Sequence, residues 1–122
     1  MTDLRLLVVD DEPEFGEFVR AVAEDLGYEV EVTTRGDDFK LLYDVFNPTV
    51  VLLDIIMPEI DGTELVSWLA GRHCTAEIIV ATGYSPRYAA AAGSLGRARG
   101  LRSVTTLTKP IPIAELRAAL PH

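Results

Sequence analysis

The sequence predicts an α/β domain, a three-layer doubly wound (βα)5 sandwich around a parallel sheet in the order 2-1-3-4-5. Three observations predict it. Five apolar runs, at residues 4–9, 28–34, 50–53, 78–81 and 104–107, alternate with segments of helical periodicity in a chain of 122 residues, the length of one domain. The runs at 6–9, 50–53 and 78–81 are continuously apolar, as parallel strands covered on both faces must be. The other two are weaker. Tyr28-Glu29-Val30-Glu31-Val32 alternates and the last run is diluted by threonine, which suits half-exposed edge strands. With those two outside and right-handed crossovers, 2-1-3-4-5 is the natural order.

The intervening helices follow in turn. Phe15, Phe18, Val19, Val22 and Leu26 recur at helical spacing and stop at Gly27. A shorter helix fits residues 36–46, halted by Asn47-Pro48. Leu65 and Leu69 mark a third after Gly62, and the alanine-rich residues 85–99 a fourth, with Ser85 as cap and Pro86 at its first position. Ile113, Leu116 and Leu120 mark a fifth, with Pro112 in its first turn. With no repeat or linker, residues 1–122 read as one domain.

Composition excludes several classes. At 48% hydrophobic the chain is neither disordered nor fibrous. No apolar run approaches the ~20 residues that span a bilayer, and the N-terminus lacks the basic region and cleavage site of a signal peptide. The expectation is a cytoplasmic protein without membrane insertion. Cys74 is the single cysteine, so no internal disulfide or multi-cysteine zinc site can form. His73 and His122 have no ligand-like spacing. The net charge is 11 − 19 = −8, unevenly spread. Residues 1–77 hold five basic and eighteen acidic side chains (−13), and residues 78–122 hold six basic and one acidic, Glu115 (+5). An acidic chain without an aromatic-studded basic patch argues against direct nucleic-acid binding.

In such a sheet, sites form beyond the C-terminal ends of the strands. Strand one delivers Asp10 and Asp11, strand three Asp54, strand four Thr82, and strand five Lys109. Three carboxylates on one edge repel each other, and each pays for desolvation, so a cation is expected among them. Mg²⁺ accepts one or two carboxylates while keeping waters and phosphate oxygens. Asp54 is then a candidate nucleophile toward phosphorus, with Lys109 as a point charge and Thr82 as a hydroxyl donor to the transferred group. Taken singly, Asp10 or Asp11 reads more simply as a helix cap, Thr82 as a loop-start residue and Lys109 as a solvated charge; their convergence carries the functional reading.

Four stretches in this order and spacing resemble the receiver domain of two-component response regulators: Val8-Val9-Asp10-Asp11-Glu12, Asp54-Ile55-Ile56-Met57-Pro58-Glu59-Ile60-Asp61-Gly62, Ala81-Thr82-Gly83-Tyr84 and Thr108-Lys109-Pro110. The resemblance covers essentially the whole chain and implies the flavodoxin-like, CheY-like fold. It implies Asp54 as phosphoacceptor and Asp11 as direct Mg²⁺ ligand, joined by Asp54 and the backbone carbonyl of Ile56, with Asp10 acting through water. Thr82 and Lys109 would bind the phosphoryl oxygens, and the Lys109-Pro110 peptide would be cis. The implied phosphodonor is a sensor histidine kinase or histidine phosphotransfer protein. The output would pass to a downstream protein or domain through the α4–β5–α5 face, from a monomer or weak dimer. Such a domain is no enzyme in the ordinary sense, catalysing only its own phosphorylation and dephosphorylation.

Two departures bear on that output. Thr106 stands where the family commonly has Tyr or Phe, and the interval from Thr82 to Lys109 is longer than usual, with the extra length around residues 93–102. Two alternatives are a receiver-like interaction module that takes no phosphate and a haloacid-dehalogenase-type phosphohydrolase. The first usually lacks one of the site residues, all present here. The second expects Asp-x-Asp after strand one, where position 12 is Glu.

Overall fold

The computed structural model describes residues 3–55, 57, 62–83 and 86–122. Its elements run β1 (Arg5–Val9), α1 (Pro13–Asp25), β2 (Glu29–Thr33), α2 (Gly36–Phe46), β3 (Val50–Leu53), α3 (Gly62–Gly71), β4 (Glu77–Thr82), α4 (Pro86–Ala98), β5 (Val104–Thr108) and α5 (Ile113–Ala119). The strands form one parallel sheet in the order β2-β1-β3-β4-β5, as the ranking of apolar runs predicts.

Strand alternation divides the core into two layers. Leu7, Val9, Val51, Leu53, Ile78 and Val80 face Phe39 of α2, Leu65, Val66 and Leu69 of α3, and Ala92 of α4. Their sequence neighbours Leu6, Val8, Val50, Leu52, Ile79 and Ala81 face Val19, Val22 and Ala23 of α1 and Leu116 of α5. The central strands are therefore continuously apolar over Leu6–Val9, Val50–Leu53 and Ile78–Ala81, because both faces are covered. Edge strand β5 keeps only Leu107 buried, which is why threonine is tolerated along it.

Two glycines set close approaches. A Cβ on Gly16 would lie 2.4 Å from Val32 Cγ1, so its absence lets α1 seat on β2. A Cβ on Gly62 would lie 2.4 Å from the Ile55 Cα, and the Gly62 N–H donates to the Ile55 carbonyl at 2.7 Å, closing the chain back onto the end of β3.

Some boundaries differ from expectation. Pro112 is the N-cap of α5 rather than part of its first turn, and α1 begins at Pro13 after a Glu12 N-cap that makes no side-chain cap bond. Asp10 and Asp11 do not cap α1. The Asp10 carboxylate is engaged elsewhere, as shown below. The fourth helix spans thirteen residues and leaves by a Schellman-type turn, with Leu101 N–H donating to Gly96 O (2.9 Å) and Gly100 N–H to Arg97 O (3.1 Å). That turn lies within residues 93–102, where the extra length is expected. The expected cap Ser85, with Tyr84, lies outside the described residues.

Candidate functional site

The site is assembled by three hydrogen bonds that continue the sheet one residue past its regular pairing. Asp10 N–H donates to Thr33 O (3.1 Å), Asp54 N–H to Val9 O (3.0 Å), and Lys109 N–H to Thr82 O (2.9 Å). Each side chain is thus held by backbone at the C-terminal edge of the sheet. Asp10, Asp54 and Thr82 are all buried there, at 0%, 4% and 1% exposure. Among the described residues no buried side-chain polar atom lacks a partner. The Lys109-Pro110 peptide is cis.

Lys109 is the hub. Its Nζ lies 2.6 Å from Asp10 Oδ2, 3.2 Å from Glu12 Oε1 and 3.4 Å from Asp54 Oδ2. On its remaining side, the ammonium sits 4.2 Å from the centroid of the Phe15 ring. Burial works against the Lys109 charge, but the Asp10 hydrogen bond and the surrounding carboxylates outweigh it and hold its pKa above the ordinary lysine value. At Asp10 burial wins instead. Burial raises its pKa and exceeds the lowering by Lys109 and by the Glu12 N–H, which donates to Asp10 Oδ1 at 2.9 Å; Asp54 adds a further upward push.

Carboxylate oxygens of Asp10, Glu12 and Asp54 lie within 4.8 Å of one another. One ammonium against three carboxylates leaves a cluster short of positive charge. Oxygen donors at this separation suit a hard divalent cation, so the residues fit Mg²⁺.

The structure brings together Asp10, Asp54 and Lys109 and ends β4 on Thr82, as the strand ends predict. Asp11 and Glu12 are both exposed, and it is the Glu12 carboxylate that lies with those of Asp10 and Asp54. The reason is local. The chain bends at Asp11, where the Glu12 N–H donates to Asp10 Oδ1 at 2.9 Å, and Glu12 Oε1 comes within 3.2 Å of Lys109 Nζ. Glu12 is the site residue that sequence reasoning passed over. Its signal was present as the third acid of the Asp10-Asp11-Glu12 run. Ile56, the expected carbonyl ligand, lies outside the described residues.

The fold and the site define the class. The sequence profile described as "Response regulator receiver domain" matches residues 6–121. The chemotaxis protein CheY of Listeria monocytogenes is 32% identical over 78 residues, covering 63% of this chain and 66% of that protein. The transcriptional regulatory protein DltR of Streptococcus agalactiae is 32% identical over 122 residues, covering 96% of this chain and 50% of that protein. The crystal structure of the chemotaxis protein CheY4 of Vibrio cholerae superimposes with a TM-score of 0.82 at 25% identity, covering 98% of this chain and 97% of that one. This chain belongs to the response regulator receiver domain family. It is a CheY-like receiver domain of two-component signalling, not a classical enzyme, and neither the hydrolase nor the phosphate-free alternative is favoured.

The chain spans from 24% to 66% of the length of these and other curated relatives. Receiver domains act with histidine kinases or phosphotransfer proteins and with output domains, and the family binds Mg²⁺ at an acidic pocket like the one formed here. Among the described residues no helix is long and apolar enough to cross a membrane.

Proposed function

We propose that Asp54 accepts a phosphoryl group from a phosphohistidine on a sensor histidine kinase or histidine phosphotransfer protein. The observation that carries this reading is the convergence on Lys109 of acids from the ends of β1 and β3, beside a buried Thr82 at the end of β4. In the transfer, an Asp54 carboxylate oxygen attacks phosphorus as the P–N bond breaks. The bonding electrons stay on the imidazole nitrogen, which takes a proton. Lys109 holds its charge beside the incoming oxygens, and the Thr82 hydroxyl donates to them. Asp11, Asp54 and the Ile56 carbonyl would hold Mg²⁺, with Asp10 acting through water, and the ion would supply the positive charge that lets a carboxylate meet an anionic phosphoryl group. Glu12, whose carboxylate lies with those of Asp10 and Asp54, would be a further oxygen donor.

On this reading the domain occupies residues 1–122, works in the cytoplasm, and catalyses only its own phosphorylation and hydrolysis. Its output leaves through the α4–β5–α5 face. Hydroxylamine trapping tests the assignment. After reaction with phosphoramidate and Mg²⁺, an acyl phosphate gives a hydroxamate, which peptide mapping should place at residue 54. A hydroxamate elsewhere, or none, overturns it.

A further inference from the structure

Lys109 has two kinds of partner in this site, and they respond differently to a divalent cation. Asp10, Glu12 and Asp54 are oxygen donors, and each is drawn to a metal that enters among them. Every such ligation weakens the hold of that carboxylate on the ammonium. Phe15 is different. Its ring, on the first turn of α1, faces the Lys109 Nζ at 4.2 Å and has no lone pair to offer a metal. The ring is itself braced, half-buried on the α1 side of the core with the Phe18 ring 6.1 Å away.

We infer that Phe15 is a positioning residue for Lys109: its π face keeps the ammonium at the phosphoryl-binding edge once the carboxylates turn to the metal. The inference rests on the phosphoacceptor reading above. Without the ring, a lysine released from its acids gains more by swinging its strongly hydrated ammonium into solvent. The ring removes water from one side of the ammonium and replaces it with the negative face of the aromatic quadrupole. The contact costs the site no carboxylate.

The test compares wild type with Phe15→Leu, which keeps apolar bulk and loses the π face, and Phe15→Tyr, which keeps both. Matching thermal melts establish that the folds are equivalent. Lys109 is then followed through its rate of modification by an amine-acylating reagent at limiting concentration, read by peptide mass with and without Mg²⁺. In Mg²⁺, Phe15→Leu should expose Lys109 to acylation about fivefold faster than wild type, and Phe15→Tyr should restore protection. Phosphorylation by phosphoramidate should slow by a similar factor in Phe15→Leu alone. Equal acylation of Lys109 in wild type and Phe15→Leu, or failure of Phe15→Tyr to rescue, overturns the inference. If wild type takes up no phosphoryl group, the phosphoacceptor reading fails by itself, and the acylation rates still decide the role of Phe15.

Discussion

Asp10 shows how a residue can be unfavourable to the fold and yet central to the geometry of the site. Its carboxyl is buried, and burial holds its pKa above the ordinary aspartate value despite the ammonium beside it. The native state therefore binds that proton more tightly than the unfolded chain does. As pH rises above the unfolded value, the unfolded chain ionises first, and the Asp10 contribution to stability falls until the folded group has also ionised. At neutral pH its charge is a net cost, so Asp10→Asn should stabilise the metal-free protein by about 1 kcal/mol. The same substitution should shrink the added stability that Mg²⁺ confers as RT ln(1 + [L]/Kd). Urea titrations with and without Mg²⁺ measure both effects. A metal-free variant less stable than wild type would show that the Lys109 pairing, not burial, dominates at this position. Gly62 is a residue-scale constraint of a steric kind. Gly62→Ala drives a Cβ into the Ile55 backbone, and a loss of about 2–4 kcal/mol is expected in the same titration.

Among the elements, the buried strands were the most legible, because coverage on both faces leaves the sequence no freedom to alternate. β3 was read to the residue, and α2 as well, since Asn47 (φ 52°) and Pro48 stop it sharply. The facing of Asp10, Asp11 and Glu12 was not legible. Which of three consecutive acids joins the Lys109 cluster depends on the bend of the chain at Asp11 before α1 begins, and nothing in the acidic run itself sets that bend. The Lys109–Glu12 contact was hidden for another reason: it joins residues 97 apart in sequence, through the pairing of other strands. The α4 exit is an element whose stability is open to test. Gly100 there adopts φ 97°, a left-handed conformation that costs a residue with a Cβ roughly 1 kcal/mol. Gly100→Ala should lower the melting midpoint by a few degrees while leaving phosphorylation unchanged. An unchanged midpoint would mean that the turn contributes little to holding α4.

At the scale of the molecule, the charge asymmetry of the sequence becomes a spatial one. The acidic residues 1–77 supply β2, β1 and β3 with α1, α2 and α3, and the basic residues 78–122 supply all but the first residue of β4 together with β5, α4 and α5, so the surplus of each sign is carried by different elements. Arg97, Arg99 and Arg102 are exposed at the end of α4 and the approach to β5, while Arg117 is paired with Asp25 across α5 and α1. A symmetric dimer through the α4–β5–α5 face would set like charges against one another. Sedimentation at moderate salt should therefore return a monomer with and without phosphodonor. A phosphorylation-dependent dimer that Arg102→Glu abolishes would contradict this. Thr106, exposed on β5 opposite Val80, adds no aromatic anchor to that face.

The central claim is that the acidic edge of this sheet exists to load one phosphoryl group onto Asp54. Intact-protein mass spectrometry after incubation with phosphoramidate measures it most directly. The account predicts a gain of one phosphoryl mass in the presence of Mg²⁺, absent in Asp54→Asn and absent when the metal is chelated. A gain that persists in Asp54→Asn, or without Mg²⁺, would contradict it.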